Sequence, residues 1–205
     1  SDTYAFKGWF TAAEGGEEVT ADTTVSSDMD VYAQWKEYEL IIEENIVTGY
    51  SGTPVNVIIP EGITGIEDDA FRGCESLESI SIPEGVTRIE NYTFRYCDNL
   101  ETVQLPEGLL YIGESAFEET SLKNVVIPNS VTELGAQAFY GCDKLETIEL
   151  SESLQTIGEY AFARCGMLQG IIIPEGVKKI GAYAFANLTA LEEIVLPSTM
   201  QAIEY

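Results

Sequence analysis

Proline returns along this chain with a fixed beat, and phenylalanine returns in step with it. The prolines stand at Pro60, Pro83, Pro106, Pro128, Pro174 and Pro197, with Ser151 in the one slot that lacks proline. The phenylalanines stand at Phe71, Phe94, Phe117, Phe139, Phe162 and Phe185. Both series step by 23 residues, except for one 22-residue step between the third and fourth repeats. A period of this length marks stacked supersecondary units, none of which can bury its apolar face alone. It restricts the chain to a solenoid and shifts the expected role from catalysis toward display of a surface.

Residues 77–97 show what one unit contains. Ile80 and Ile82 alternate with Ser79 and Ser81, the period-2 pattern of a strand buried on one face. Pro83 cannot donate to a ladder and ends the strand, and Pro83-Glu84-Gly85 reads as a turn. Val86 and Ile89 then point inward from a second short extended segment. Thr93-Phe94 with Cys97 three residues on has helical spacing and predicts a helical or 3₁₀ turn that caps the coil. Strands of successive coils are expected to pair in parallel, about 4.8 Å apart, as one continuous sheet along the axis. Gly113, Gly135, Gly158 and Gly181 follow the second-strand apolar residue, where a tight or left-handed turn is expected, although Glu67 and Glu90 fill the same slot.

With these residues in view, residues 55–205 resemble the BspA-type, or Treponema pallidum type, leucine-rich repeat of bacterial surface proteins. The matching strings are IPEGVTRIENYTFRYCDNL, IPNSVTELGAQAFYGCDKL and IPEGVKKIGAYAFANLTAL. The resemblance implies a right-handed leucine-rich-repeat solenoid of about six repeats, mainly β with short helical or 3₁₀ turns and a parallel sheet. Residues 37–54 break the pattern and are expected to cap the first coil's open edge. Residues 1–36 differ in composition, with Tyr4, Phe6, Trp9, Phe10, Tyr32 and Trp35. The strings YAFKGWF and DVYAQW resemble the carboxy-terminal part of an internalin-type B-repeat, the Listeria–Bacteroides repeat, which implies a small partial β-grasp-like segment. Its aromatics are expected to form the core of that small module. So short a segment is expected to pack on the cap or pair with another copy.

Composition narrows the function. Ten basic residues against 35 acidic ones give a net charge of −25, which repels phosphate backbones and anionic lipid. Neither nucleic-acid binding nor membrane insertion is expected, and such a charge favours a monomer. The chain has no histidine, so the commonest general base and transition-metal ligand are missing, and neither catalysis nor a cofactor is expected. Cys74, Cys97, Cys142 and Cys165 each follow a repeat phenylalanine by three residues, where Thr120 and Leu188 also occur. They read as buried packing residues, with pairs Cys74–Cys97 and Cys142–Cys165 as the alternative. The acidic pairs Asp28/Asp30 and Asp68/Asp69 lack the twelve-residue loop that calcium needs. Ser1 and Tyr205 fall inside patterns, as expected of a fragment of a longer polypeptide.

The outward positions of the main strand are the candidate partner-binding face. One row holds Asn56, Ser79, Thr102, Asn124, Thr147, Gly170 and Glu193, and the next holds Ile58, Ser81, Gln104, Val126, Glu149, Ile172 and Val195. From them we select Ser81, Thr102, Gln104, Asn124, Val126, Thr147, Glu149, Ile172, Glu193 and Val195. Apolar Ile172 and Val195 mark a contact site or pack on a further repeat. The flanking row Glu78, Glu101, Lys123, Glu146, Gln169 and Glu192 reads as a solvated face. Tyr160 beside Tyr183 reads as packing between coils, with sugar stacking as the alternative. The resemblance implies a secreted or wall-associated bacterial protein that adheres to a protein or glycan on a host or bacterial surface. Two competing expectations are a structural stalk and an accessory module of a larger secreted enzyme.

Overall fold

The computed structural model describes residues 4–13, 16–20, 23–24, 30–198 and 202–203. Each coil opens with a three-residue strand: Asn56–Ile58, Ser79–Ser81, Thr102–Gln104, Asn124–Val126, Thr147–Glu149, Gly170–Ile172 and Glu193–Val195. After the proline turn comes a two-residue strand, from Gly65–Ile66 and Arg88–Ile89 onward to Lys179–Ile180 and Ala202–Ile203. Equivalent positions face each other across coils, as in Ile80↔Val103 and Ile89↔Ile112. Because the step is nearly constant, each inward side chain meets its own counterpart in the next coil. Where Ser151 replaces proline, its buried hydroxyl donates to the Val131 carbonyl at 2.6 Å, so the polar substitute is satisfied.

Stacked phenylalanines run through the core. The rings of Phe71, Phe94, Phe117, Phe139, Phe162 and Phe185 follow one another at 5.2–5.8 Å with interplanar angles of 5–20°. Tyr50 lies on Phe71 at 5.6 Å and extends the stack by one ring. The cysteines are free and buried, and their thiols have a defined task. Cys97, Cys142 and Cys165 donate to the carbonyls of Phe71, Phe117 and Phe139 in the preceding coil, each at 3.1 Å. Burial pushes the Cys97 thiol up to about 12.

Around each phenylalanine the helical expectation resolves into linked turns, and no helix occurs among the described residues. Alternate amides, such as those of Ala70, Arg72 and Cys74, close turns onto Glu67, Asp69 and Phe71. The intervening amides of Asp69, Phe71 and Gly73 cross to carbonyls of Asn91, Thr93 and Arg95 in the next coil. Left-handed backbone at every fourth residue produces this alternation. One such series is Asp69, Tyr92, Ser115, Gln137, Tyr160 and Tyr183, with φ of 51–60°. The recurrent glycines are not the left-handed residues. A Cβ on Gly158 would stand 2.4 Å from the carbonyl carbon of Gly135, and one on Gly135 would stand 2.6 Å from that of Gly113. Their role is close backbone approach between coils.

The two sheets reverse expectation. The second-strand sheet is the continuous one, with six parallel strands from Arg88–Ile89 to Ala202–Ile203. The main strands pair in three separate groups: 56–58 with 79–81 and 102–104, 124–126 with 147–149, and 170–172 with 193–195. The first break follows the 22-residue step. Phe94 precedes Leu100 by six residues but Phe117 precedes Leu122 by five, so the shortened leg leads directly into Asn124–Val126. The second break falls at Gly170, a residue that weakens a strand.

At the amino-terminal end, β1 (Tyr4–Phe10), β2 (Tyr32–Glu43) and β3 (Ile46–Gly52) form antiparallel pairs. β2 runs unbroken past residue 36 and serves both neighbours. β3 then pairs in parallel with Gly65–Ile66, placing buried Val47 beside Ile66. Phe10 is buried, whereas Trp9 and Tyr32 are 49% and 41% exposed, so these two do not form a module core. The side chains of Tyr4, Phe6 and Trp35, together with Asp28 and Met29, lie outside the described residues.

Candidate functional site

A groove of about 550 Å³ opens on the main-strand face, over the gap between Thr147–Glu149 and Gly170–Ile172. Six of the ten selected residues line it: Val126, Thr147, Glu149, Ile172, Glu193 and Val195. Its floor includes Ile148 and Leu150, 7% and 9% exposed. Val126, Ile172 and Val195 are 63%, 69% and 42% exposed, so the groove presents aliphatic side chains to solvent.

The other four selected residues, Ser81, Gln104, Thr102 and Asn124, lie outside this lining. Three of them spend their polar atoms on neighbouring coils. The Ser81 hydroxyl donates to Gln104 Oε1 at 3.2 Å, and Thr147 Oγ1 donates to Asn124 Oδ1 at 2.6 Å. Both bonds stitch coils on the amino-terminal side of the gap between Thr147–Glu149 and Gly170–Ile172.

Sequence reasoning passed over two lining residues, Glu107 and Glu152. Both follow the repeat proline or its serine substitute, a slot that reads Glu61, Glu84, Glu107, Asn129, Glu152 and Glu175. That recurrence was the available signal for an acidic border. Together with Glu149 and Glu193, they bring four exposed carboxylates to a groove whose lining contains no lysine or arginine.

Several of the remaining candidates are engaged within the fold. In the flanking row, Lys123 pairs with Glu101 at 2.6 Å and all six residues are exposed. Asp69 pairs with Arg72, and Asp68 accepts from the Asn91 amide, so both acids are engaged within the fold. Tyr160 stacks on Tyr183 at 5.0 Å while Tyr140 meets it edge-on at 6.4 Å, so these rings turn toward one another. Burial and the neighbouring Tyr183 raise the Tyr160 hydroxyl above its usual range.

Parallel ladders of equivalent positions around a leucine- and phenylalanine-lined core define a leucine-rich-repeat solenoid. The chain belongs to the BspA type leucine rich repeat region family, whose model matches six copies over residues 41–145 and 111–205. Residues 1–34 match the Listeria-Bacteroides repeat domain. Among solved structures, the leucine-rich repeat protein of T. pallidum is 31% identical with a TM-score of 0.72, covering 82% of each chain. A leucine-rich repeat protein from Bacteroides ovatus is 27% identical with a TM-score of 0.72, over 90% of this chain and 55% of that one. The chain therefore spans little more than half the length of that relative. The pneumococcal vaccine antigen PcpA shares the fold at 18% identity and a TM-score of 0.56, over 74% of this chain and 44% of that one. No curated protein matches. Among the described residues, no helix is long and apolar enough to cross a membrane.

Proposed function

We propose that this chain is the recognition part of a bacterial surface or secreted protein, and that it adheres to another protein through the groove on the main-strand face. Membership of a bacterial leucine-rich-repeat family supports a protein-interaction role, since fold alone does not supply a function. The single observation that carries the site is the row in which Val126, Ile172 and Val195 stand exposed along the groove, at the second of the two breaks in the main sheet. Exposed aliphatic groups gathered in one concave groove are what a protein partner covers. In this reading residues 1–36 are a partial repeat module, 37–54 a cap and 55–205 the solenoid.

The test is binding of the fluorescently labelled fragment to intact bacterial and epithelial cells, beside an Ile172→Ser/Val195→Ser variant. Both side chains are solvent-facing, so the variant keeps the fold, which its urea midpoint verifies. Loss of cell binding in the variant supports the site. Equal binding removes this face, and no binding by either protein favours a stalk.

A further inference from the structure

The groove also specifies the chemistry of its occupant, an inference that rests on reading it as a protein-binding surface. Glu107, Glu149, Glu152 and Glu193 are exposed along its lining. None of their carboxylates makes an ion pair or a side-chain hydrogen bond among the described residues. A few acids elsewhere are answered within the fold, Glu101 by Lys123, Glu118 by Arg95, Glu84 by the Glu107 amide and Glu175 by Ser198, whereas the groove lining holds no lysine or arginine to answer its own. Four unpaired carboxylates around three exposed aliphatic side chains leave both a charge and an apolar surface unanswered.

We infer that the groove takes a basic protein segment, one in which lysine or arginine accompanies aliphatic side chains. Cations answer the carboxylates, and their methylene stems extend the apolar contact over Ile172 and Val195. A second copy of this chain does not fit, because at a net charge of −25 it brings like charge to an acidic groove. The row from Val126 through Glu149 and Ile172 to Val195 crosses four strands, roughly 14 Å, the reach of about four extended residues.

Fluorescence polarisation with short labelled peptides tests this. The probes are alternating Lys-Ile, Ser-Ile and Lys-Ser octapeptides. The proteins are the parent chain, Glu149→Gln/Glu152→Gln/Glu193→Gln, and Ile172→Ser/Val195→Ser. We expect the Lys-Ile peptide to bind the parent about tenfold more tightly than either comparison peptide, with the advantage shrinking between about 50 and 300 mM salt. The glutamine variant should bind Lys-Ile no better than Ser-Ile. Equal affinity for Lys-Ile and Ser-Ile on the parent overturns the basic assignment while leaving the groove as a binding surface. Lys-Ser binding as tight as Lys-Ile shows unselective charge attraction and also overturns it. If Ile172→Ser/Val195→Ser binds every peptide as the parent does, the groove reading itself falls.

Discussion

Phe139 stacks on Phe117 at 5.3 Å and 11°, across the one step where the chain is a residue short. The main strands beside that step, Thr102–Gln104 and Asn124–Val126, do not pair. The missing residue is thus absorbed on the strand side of the coil, and the aromatic column is kept intact. The aromatic column and the second-strand sheet both run unbroken across this step, and the main-strand face is left free to vary.

Truncating a central ring opens a cavity that fixed neighbours above and below cannot fill. Phe139→Ala should cost about 3–5 kcal/mol, read as a lowered urea midpoint. A loss under about 1 kcal/mol would mean that the column is not what aligns the coils.

Backbone approach at the glycine slot gives a second prediction. Gly158→Ala places a methyl group 2.4 Å from the Gly135 backbone, whereas a methyl on Gly108 would meet only the Glu84 carbonyl at 3.6 Å. Gly158→Ala should therefore destabilise by about 1–3 kcal/mol, with Gly108→Ala within about 0.5 kcal/mol of the parent. Equal effects in thermal unfolding would contradict the close-approach explanation.

A pH dependence follows from the buried thiol. The Cys97 thiol is raised from an ordinary 9.0 to about 12 by burial, so the folded chain holds its proton after the unfolded chain has released it. Stability from this group is complete below pH 9 and is lost as pH climbs toward 12. Cys97→Thr, with the hydroxyl that Thr120 already carries in this slot, removes that titration. Between about pH 7.5 and 10.5, the parent should lose about 1–2 kcal/mol more than the variant in urea titrations. Parallel losses would show that Cys97 does not titrate differently on folding.

Arg95 and Glu118 form an ion pair at 2.8 Å, with side chains only 23% and 5% exposed. Arg95→Met strands the Glu118 carboxylate and should cost about 3 kcal/mol, while Arg95→Met/Glu118→Leu should recover most of that. A double variant no more stable than the single one in chemical denaturation would indicate that burial of the carboxylate is not the source of the loss.

Periodicity made the scaffold legible, because a nearly constant step sends each inward Ile, Leu and Phe to its own counterpart. The glycines were misread because recurrence alone does not separate left-handed φ from close approach. The left-handed slot is filled by Asp69, Tyr92, Ser115, Gln137, Tyr160 and Tyr183, a set with no shared propensity, and bonds to the next coil hold the first five there. The break beside Gly170 changes no repeat length, so spacing could not announce it. The rows of outward residues did bring Val126, Glu149, Ile172 and Val195 together, since strand alternation fixes which side faces out. Glu107 and Glu152, beside Pro106 and Ser151, join them only in the folded groove.

Photo-cross-linking tests the central claim most directly. A benzophenone amino acid is placed at position 149, in the groove, or at position 159, an exposed site outside the groove lining, and each protein is irradiated on the cells it binds. The account predicts a discrete protein adduct from position 149 and none from position 159. Adducts of equal yield from both positions, or from position 159 alone, would contradict it.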